Sequence, residues 1–276
     1  MKLVFALFIL LLMQSLEVRA TSNCDRLPGW SLLYKDPDLN WFIFGELHGN
    51  RESPEIFAQA ICEASKHRSV VVGVEQSERD QQAIDEFMSS DGGEGAKQRF
   101  LDSMIWDGHP DGRTSRAMFE LFERLRELKA AGRITRVFAY IPYSVDTHFD
   151  QASYEEKMAN RIEAEHEDGK LVVVLTGNVH AMRTKAPWNP NYSPMATHLP
   201  KGKTVTLAIV TDGGTTWGCQ GQPVSCGAYE LRSPPQPQSR ELDYHPQADT
   251  PYSGTLFIGA PGTASPPARG SARPSP

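Results

Sequence analysis

The chain has 276 residues, enough for one large domain or two small ones. It carries 28 basic and 34 acidic residues, so its formal net charge is −6 at pH 7. This balance argues against nucleic acid as a partner, because phosphates bind to basic surfaces. We expect a small-molecule ligand or substrate instead, and the composition does not indicate an oligomeric state.

The first twenty residues predict an export signal. Lys2 supplies a positive start, residues 3–13 form an unbroken apolar run, and Val18-Arg19-Ala20 suits cleavage by a signal peptidase. The apolar run is about half of the roughly 20 residues that a membrane span needs. We therefore expect a periplasmic or secreted protein, cleaved near Ala20 and without a membrane span.

The four cysteines are predicted to form two disulfides, because an exported chain meets an oxidising compartment. Cys219 and Cys226 flank a short loop with Gly, Gln and Pro, which favours a loop-closing bond between them. Cys24 would then pair with Cys62 and attach the new N-terminus to a helix. Four cysteines permit three connectivities, and this one is our first choice.

Apolar runs alternate with helical patterns along the chain. The runs that predict strands are residues 41–44, 70–74, 134–141, 171–175, 204–210 and 254–258. Helices are predicted from Ser53-Pro54 onward and over residues 78–89, 115–131 and 154–167. Because several strands are apolar throughout, we expect an α/β fold with a mostly parallel sheet and helices on both faces. A single domain over residues 21–262 accommodates these elements.

Three segments are predicted to lack regular structure. Residues 90–95 are rich in Gly and predict an exposed connector, whereas residues 233–253 predict a loop rich in Pro and Gln. Residues 263–276 contain mainly Pro, Ala, Ser and Gly, which predicts a disordered tail. The helical segment over residues 154–167 is strongly charged, and we interpret its charges as a solvated face.

Two similar turns stand at the predicted carboxyl edge of the sheet, where open parallel sheets bind ligands. Gly45-Glu46-Leu47-His48 follows the first apolar run, and Gly177-Asn178-Val179-His180 follows the fourth. Glu75 follows the second run. We expect both glycines to allow sharp turns that direct the following side chains over the sheet edge.

These side chains suit acid–base chemistry. A carboxylate beside a histidine fixes the tautomer of the ring and raises its basicity. The same types of side chain also bind divalent metals, so a metal site stays open as an alternative. The predicted catalytic residues, which are also the candidate metal ligands, are Glu46, His48, Glu75 and His180.

Substrate-binding residues are predicted around this edge. Arg51 or Arg113 can hold an anionic group. Residues 106–113 form a polar, turn-rich segment that is either a substrate-facing loop or only a capped connection. The predicted substrate-binding residues are Arg51, Glu52, Asp107, His109, Arg113 and Asn178. A serine hydrolase is disfavoured, because no serine lies in a Gly-x-Ser-x-Gly elbow.

The order of these motifs resembles a known superfamily. Residues 44–50 (FGELHGN), Val74-Glu75 and residues 176–180 (TGNVH) are similar to the superfamily that joins the erythromycin esterases to the ChaN-like haem-binding proteins, with the Tiki/TraB proteins as distant kin. Residues 256–267 resemble its closing strand. Only Leu47 separates Glu46 from His48, as in the ChaN-like branch, whereas the esterases usually place two residues there.

The resemblance implies a cleft at the carboxyl edge of the sheet, and together with the residue types discussed above it leaves three possible functions. In the esterase branch, the histidine after the first strand activates water against an ester. That role falls on His48, with Glu46 and Glu75 beside it and His180 across the cleft. The alternatives are haem or iron binding without catalysis, for which Tyr140, Tyr143 and Tyr154 are the candidate tyrosine ligands, and a metal-dependent hydrolase or protease.

Overall fold

The structure is a computed structural model that describes residues 24, 26–34, 36–107, 111–143, 149–247 and 249–269. The predicted export signal, His109 and the tail beyond Arg269 lie outside these residues. Within the described ranges, no helix is both long enough and apolar enough to cross a membrane.

Seven of the nine strands among the described residues form one sheet. The strands are β1 (Trp41–Glu46), β2 (Ser69–Ser77), β3 (Ile134–Ile141), β4 (Lys170–Gly177), β5 (Thr204–Val210), β6 (Gly214–Gln220), β7 (Ser225–Leu231), β8 (Glu241–Tyr244) and β9 (Gly254–Phe257). The large sheet has the order β3-β2-β4-β1-β5-β9-β8, and every pairing in it is parallel except β8 with β9. The predicted, mostly parallel sheet is confirmed.

Helices cover both faces of this sheet. They are α1 (Ser31–Tyr34), α2 (Glu52–Ala64), α3 (Gln81–Met88), α4 (Glu94–Leu101), α5 (Arg116–Ala130) and α6 (Gln151–Ala164). Alternate residues of each strand point to opposite faces, so each strand supplies both cores. Phe42 and Phe44 of β1 pack in the core that contains α2 and α5, whereas Ile43 packs with Met158 of α6. The single α/β domain with helices on both faces is therefore confirmed.

The structure differs from the predictions in four segments. Helix α4 begins inside the Gly-rich segment, and β8 lies inside the predicted Pro/Gln-rich loop. β6 and β7 form an additional antiparallel hairpin. Residues 263–269, predicted as part of a disordered tail, lie against the domain instead: Ala264 forms an isolated bridge with Asn50, and Pro267 with Ser115. Backbone hydrogen bonds to the domain thus order a segment whose composition favours disorder.

Both predicted disulfides are present. Cys24 is bonded to Cys62 in α2, and Cys219 to Cys226 across the β6–β7 hairpin. Two disulfides are compatible with an exported protein.

We expect the two disulfides to contribute unequally to stability. A cross-link restricts the unfolded chain more when it closes a longer loop, and these bonds join residues 38 and 7 positions apart. The loop-entropy relation gives about 4 kcal/mol for the first bond and about 2 kcal/mol for the second. Urea unfolding of Cys24→Ser/Cys62→Ser and Cys219→Ser/Cys226→Ser should show this order. A larger loss in the hairpin variant would contradict it.

Candidate active site

The two predicted turns meet because their strands are neighbours. β1 and β4 pair in parallel register, which places Glu46 opposite Gly177. The backbone N–H of Asn178 then donates to the carbonyl oxygen of Glu46 at 2.8 Å. His48 and His180, three residues or fewer beyond this pair, therefore lie at the same edge of the sheet.

The glycines of these turns serve close packing, not a sharp turn as predicted. Gly45 and Gly177 lie within β1 and β4, and neither has a positive φ. A Cβ added at Gly177 would lie 3.1 Å from Nε2 of His48. The positive φ that the first turn needs, +92°, belongs to Gly49, one residue after His48.

His48 lies between two carboxylates. Its Nδ1 is 3.0 Å from Oε1 of Glu46, and its Nε2 is 3.6 Å from Oε1 of Glu75. The side chain is 20% exposed, so one part of the ring faces solvent. Burial by itself would lower the pKa of His48, but the negative charges of Glu75 and Glu46 outweigh it and raise the pKa to about 10.

Glu75 is held in place by the end of β4. Its Oε2 accepts hydrogen bonds from Oγ1 of Thr176 at 2.9 Å and from the backbone N–H of Gly177 at 2.5 Å. Its Oε1 is left for His48 and for Arg113, whose Nη1 is 3.5 Å away. Burial would raise the pKa of Glu75, but the positive charges of these two residues lower it far below its ordinary value. Glu75 is therefore a fixed carboxylate that stays ionised.

His180 contacts a further carboxylate, which was not predicted from the sequence. Its Nδ1 is 2.8 Å from Oε2 of Glu155 in α6, a side chain with no exposed surface. We interpreted the charges of this helix as a solvated face, and for Glu155 that is wrong. A usable signal was present, because Glu155 precedes the buried Met158, Ala159 and Ile162 by three, four and seven residues on the apolar stripe.

The predicted substrate-binding residues divide into two groups. Arg113 lies in the cluster beside Glu75 and also pairs with Asp111, which was not predicted, at 2.7 Å. The half-buried Asn178 lies at the edge, where its carbonyl oxygen accepts from Tyr252.

The other predicted residues contact different parts of the chain. Arg51 is exposed at the start of α2 and lines a groove between α2 and α5. Glu52 accepts a hydrogen bond from the backbone of Thr263, and Asp107 pairs with Arg269. The structure therefore brings none of these three to the histidines, and it leaves His109 outside the described residues.

Two distant segments hold the backbone of the first turn. Oγ1 of Thr216 in the β6–β7 hairpin donates to the carbonyl oxygen of His48 at 2.6 Å. The backbone N–H groups of Trp217 and Ser265 donate to the carbonyl oxygen of Gly49 at 2.9 and 2.8 Å. The hairpin and the C-terminal segment thus fix the position of His48.

The three candidate tyrosine ligands have different environments. Tyr140 is fully buried, and its hydroxyl donates to the carbonyl oxygen of Leu175 at 2.8 Å, so it cannot reach a ligand. Tyr143 and Tyr154 both line a cavity of about 650 Å³ between the end of β3 and α6. Burial, with the charge of Glu75, raises the pKa of Tyr154 to about 12, which keeps it protonated.

Across the described residues, no three His, Cys, Asp or Glu side chains are grouped to hold a metal ion.

The interaction between His48 and Glu75 should stabilise the fold most in mildly acidic solution. The pKa of His48 is raised from 6.5, so its contribution is complete below pH 6.5 and is lost as the pH rises through about 10. The pKa of Glu75 is lowered from 4.5, so its contribution is present above pH 4.5 and is lost at lower pH. We expect His48→Gln to lose most unfolding free energy between these two values. Urea unfolding at about pH 5.5 and about pH 9.5 tests this, and an equal loss at both would contradict it.

No protein-family model and no curated protein matches the chain in sequence. Among solved structures, an erythromycin esterase with a His-to-Asn substitution, in its open conformation, is similar over 86% of this chain and 92% of its own, with a TM-score of 0.58 and 11% identity. A succinoglycan biosynthesis protein is similar over 73% of this chain and 74% of its own, with a TM-score of 0.55 and 10% identity. A Bacillus cereus protein is similar over 73% of each chain, with a TM-score of 0.51 and 12% identity. Identities this low show the fold alone, and at that level the predicted resemblance is confirmed: this chain has the fold of an erythromycin esterase.

Proposed function

We propose that this protein is an exported hydrolase that cleaves an ester or a related bond with a water molecule activated by His48. The arrangement of His48 between Glu46 and Glu75 carries the proposal. The 3.6 Å between Nε2 of His48 and Oε1 of Glu75 is longer than a hydrogen bond, and a water on the solvent side of the pair can contact both atoms. The shared fold with an erythromycin esterase supports the same reaction class as an analogy.

The carboxylate of Glu46 determines which ring nitrogen of His48 carries the hydrogen. A carboxylate only accepts hydrogen bonds, so Nδ1 of His48 carries the hydrogen that Glu46 receives. Neutral His48 therefore has its lone pair on Nε2, beside the bridging water. Nε2 takes a proton from this water as the oxygen attacks the carbonyl carbon of the ester.

The remaining charges suit the second half of the reaction. Arg113, whose side chain is 18% exposed, can stabilise the negative oxygen of the tetrahedral intermediate. The carbon–oxygen bond of the leaving group then breaks, and protonated His180 gives the hydrogen on Nε2 to the departing oxygen. The productive form of the protein thus has a neutral His48 and a protonated His180. After each turnover His48 releases its proton to solvent and His180 takes one up from solvent.

A panel of esters, lactones and thioesters tests the reaction class. The full chain, purified from its exported compartment with disulfides intact, should hydrolyse at least one member, and a chelator should not abolish turnover. Loss of turnover in chelator with recovery on adding zinc or manganese would favour the metal-dependent alternative. No turnover of any member would contradict the proposal.

Haem binding is a second candidate because of the cavity beside the site. Tyr143 and Tyr154 line it together with Lys157, whose positive charge suits a carboxylate, whereas Arg161 is already paired with Glu78. Haem would bring its own iron chemistry, and these residues would only bind and orient it. Titration with haem, followed by absorbance, tests this candidate. A Soret band that Tyr143→Phe and Tyr154→Phe abolish would support it, and an unchanged spectrum of free haem would exclude it.

A further inference from the structure

The most completely satisfied buried carboxylate at the site is Glu155, and the proposed reaction gives it no role. Each of its oxygens has two partners. Oε1 receives hydrogen bonds from Nε2 of Gln151 at 2.5 Å and from the hydroxyl of Tyr192 at 2.6 Å. Oε2 receives one from the backbone N–H of Met195 at 2.8 Å and contacts Nδ1 of His180 at 2.8 Å. Four partners fix the carboxylate in one orientation.

Three of these partners come from one long connection. Tyr192, Met195 and His180 all belong to the segment between β4 and β5, and the backbone N–H of Ala196 donates to the carbonyl oxygen of His180 at 3.0 Å. All the neighbours of Glu155 can act as donors, which suits an acceptor-only, ionised carboxylate. A buried charge of this kind needs a counter-charge, and His180 is the ring that can provide it.

We infer that Glu155 is a positioning residue: it holds His180 with a hydrogen on Nδ1 and with Nε2 directed into the cleft toward His48. The ring geometry agrees with this assignment. A Cβ placed on Gly177 would lie 3.6 Å from Cδ2 of His180, next to Nε2, and 3.1 Å from Nε2 of His48. The catalytic part of this inference rests on the proposed hydrolysis, whereas the orientation and protonation of His180 do not.

Other charged and titratable groups also face His180. Glu75 approaches from β2, His48 from the first turn, and the ring of Tyr154 lies 6.3 Å away on α6. Burial would lower the pKa of His180, but the hydrogen bond to Glu155 and the charge of Glu75 outweigh it, so the pKa is raised. Removing the charge of Glu155 should therefore lower this pKa.

Glu155→Gln removes the charge and can keep every hydrogen bond. The new amide nitrogen would face Gln151 and Tyr192, because a tyrosine hydroxyl can accept and the Gln151 amide can rotate to present its oxygen. The amide oxygen would still receive the hydrogens of Met195 and His180. This variant therefore separates the charge of Glu155 from its structural role, and Tyr192→Phe is the matched control because it removes one donor and keeps the charge.

The first measurement is NMR of the full chain with ¹⁵N-labelled histidine. The wild-type protein should show His180 with its hydrogen on Nδ1 when neutral. We expect its pKa to fall in Glu155→Gln and to stay or rise in Tyr192→Phe, where the carboxylate loses a competing donor. A wild-type hydrogen on Nε2, or an equal pKa in Glu155→Gln and wild type, would overturn the inference even if the protein hydrolyses esters.

The second measurement is kcat/KM against pH. In Glu155→Gln, fewer molecules combine a neutral His48 with a protonated His180. The pH-independent maximum of kcat/KM should therefore fall, and the factor should equal the rise in the acid dissociation constant of His180. On the acid side His180 is protonated in both Glu155→Gln and the wild-type protein, so their two profiles should coincide there. A merely structural role would lower both regions alike, and that result would overturn the positioning role. If the wild-type protein hydrolyses nothing, the proposed function fails while the NMR result still decides the inference.

Discussion

Replacing His48 by Gln is expected to lower kcat/KM for ester hydrolysis by about 10² to 10⁴-fold, the usual contribution of a general base. Glutamine can keep a hydrogen bond to Glu46 but has no nitrogen that takes a proton from water at neutral pH. Glu75 keeps its hydrogen bonds to Thr176 and Gly177, so the carboxylate is not left without partners. We therefore expect the variant to fold, with native disulfides and an unchanged circular dichroism spectrum.

The matched control is His198→Gln, which changes an exposed histidine on the turn before β5. Steady-state kinetics on the same ester should give wild-type values for this control. If His48→Gln retains full turnover while folded, His48 is not the base. If both variants lose activity equally, the loss reports a general effect on the protein and the proposed role of His48 is contradicted.

A bell-shaped dependence of kcat/KM on pH is the second large effect that we expect. On the acid side kcat/KM should rise by about tenfold for each pH unit, because the neutral fraction of His48 grows in that proportion. The rise should end at the raised pKa of His180, and kcat/KM should fall above the pKa of His48, at about pH 10. Since kcat/KM reports the free protein, these limits can be compared directly with the two pKa values measured by NMR.

Glu75→Gln should move both limbs of this profile to lower pH. The charge of Glu75 raises the pKa of both His48 and His180, so its removal lowers both. The amide oxygen can still accept hydrogen bonds from Thr176 and Gly177, which keeps the end of β4 in place. A profile that is level from about pH 5 to about pH 9, or one that Glu75→Gln leaves unmoved, would contradict these roles.

Most of the sheet follows from local sequence patterns. Residues 134–141 and 204–210 are strands with the predicted bounds. Three of the other predicted runs lie within strands of the same sheet, and the run over residues 254–258 extends one residue beyond β9. Continuous apolar runs are buried on both faces, and this requires a parallel sheet covered by helices. The same pattern locates the carboxyl edge of the sheet, and it therefore predicts that Glu46, His48, Glu75 and His180 lie together there.

The sequence by itself determined the α/β fold and the edge at which the four predicted catalytic residues meet, because apolar periodicity and strand ends are local properties of the chain. It favoured the observed pairing of the four cysteines without excluding the other two. Only the tertiary structure decided which residues complete the site. Glu155, Thr216 and Ser265 reach the two histidine turns from a helix, a hairpin and a C-terminal segment that are far away in sequence. Their partners lie about 25 to more than 200 residues away along the chain. The apolar stripe of α6 can indicate that Glu155 is buried, but no period or spacing in the sequence indicates which residue it contacts over such a distance.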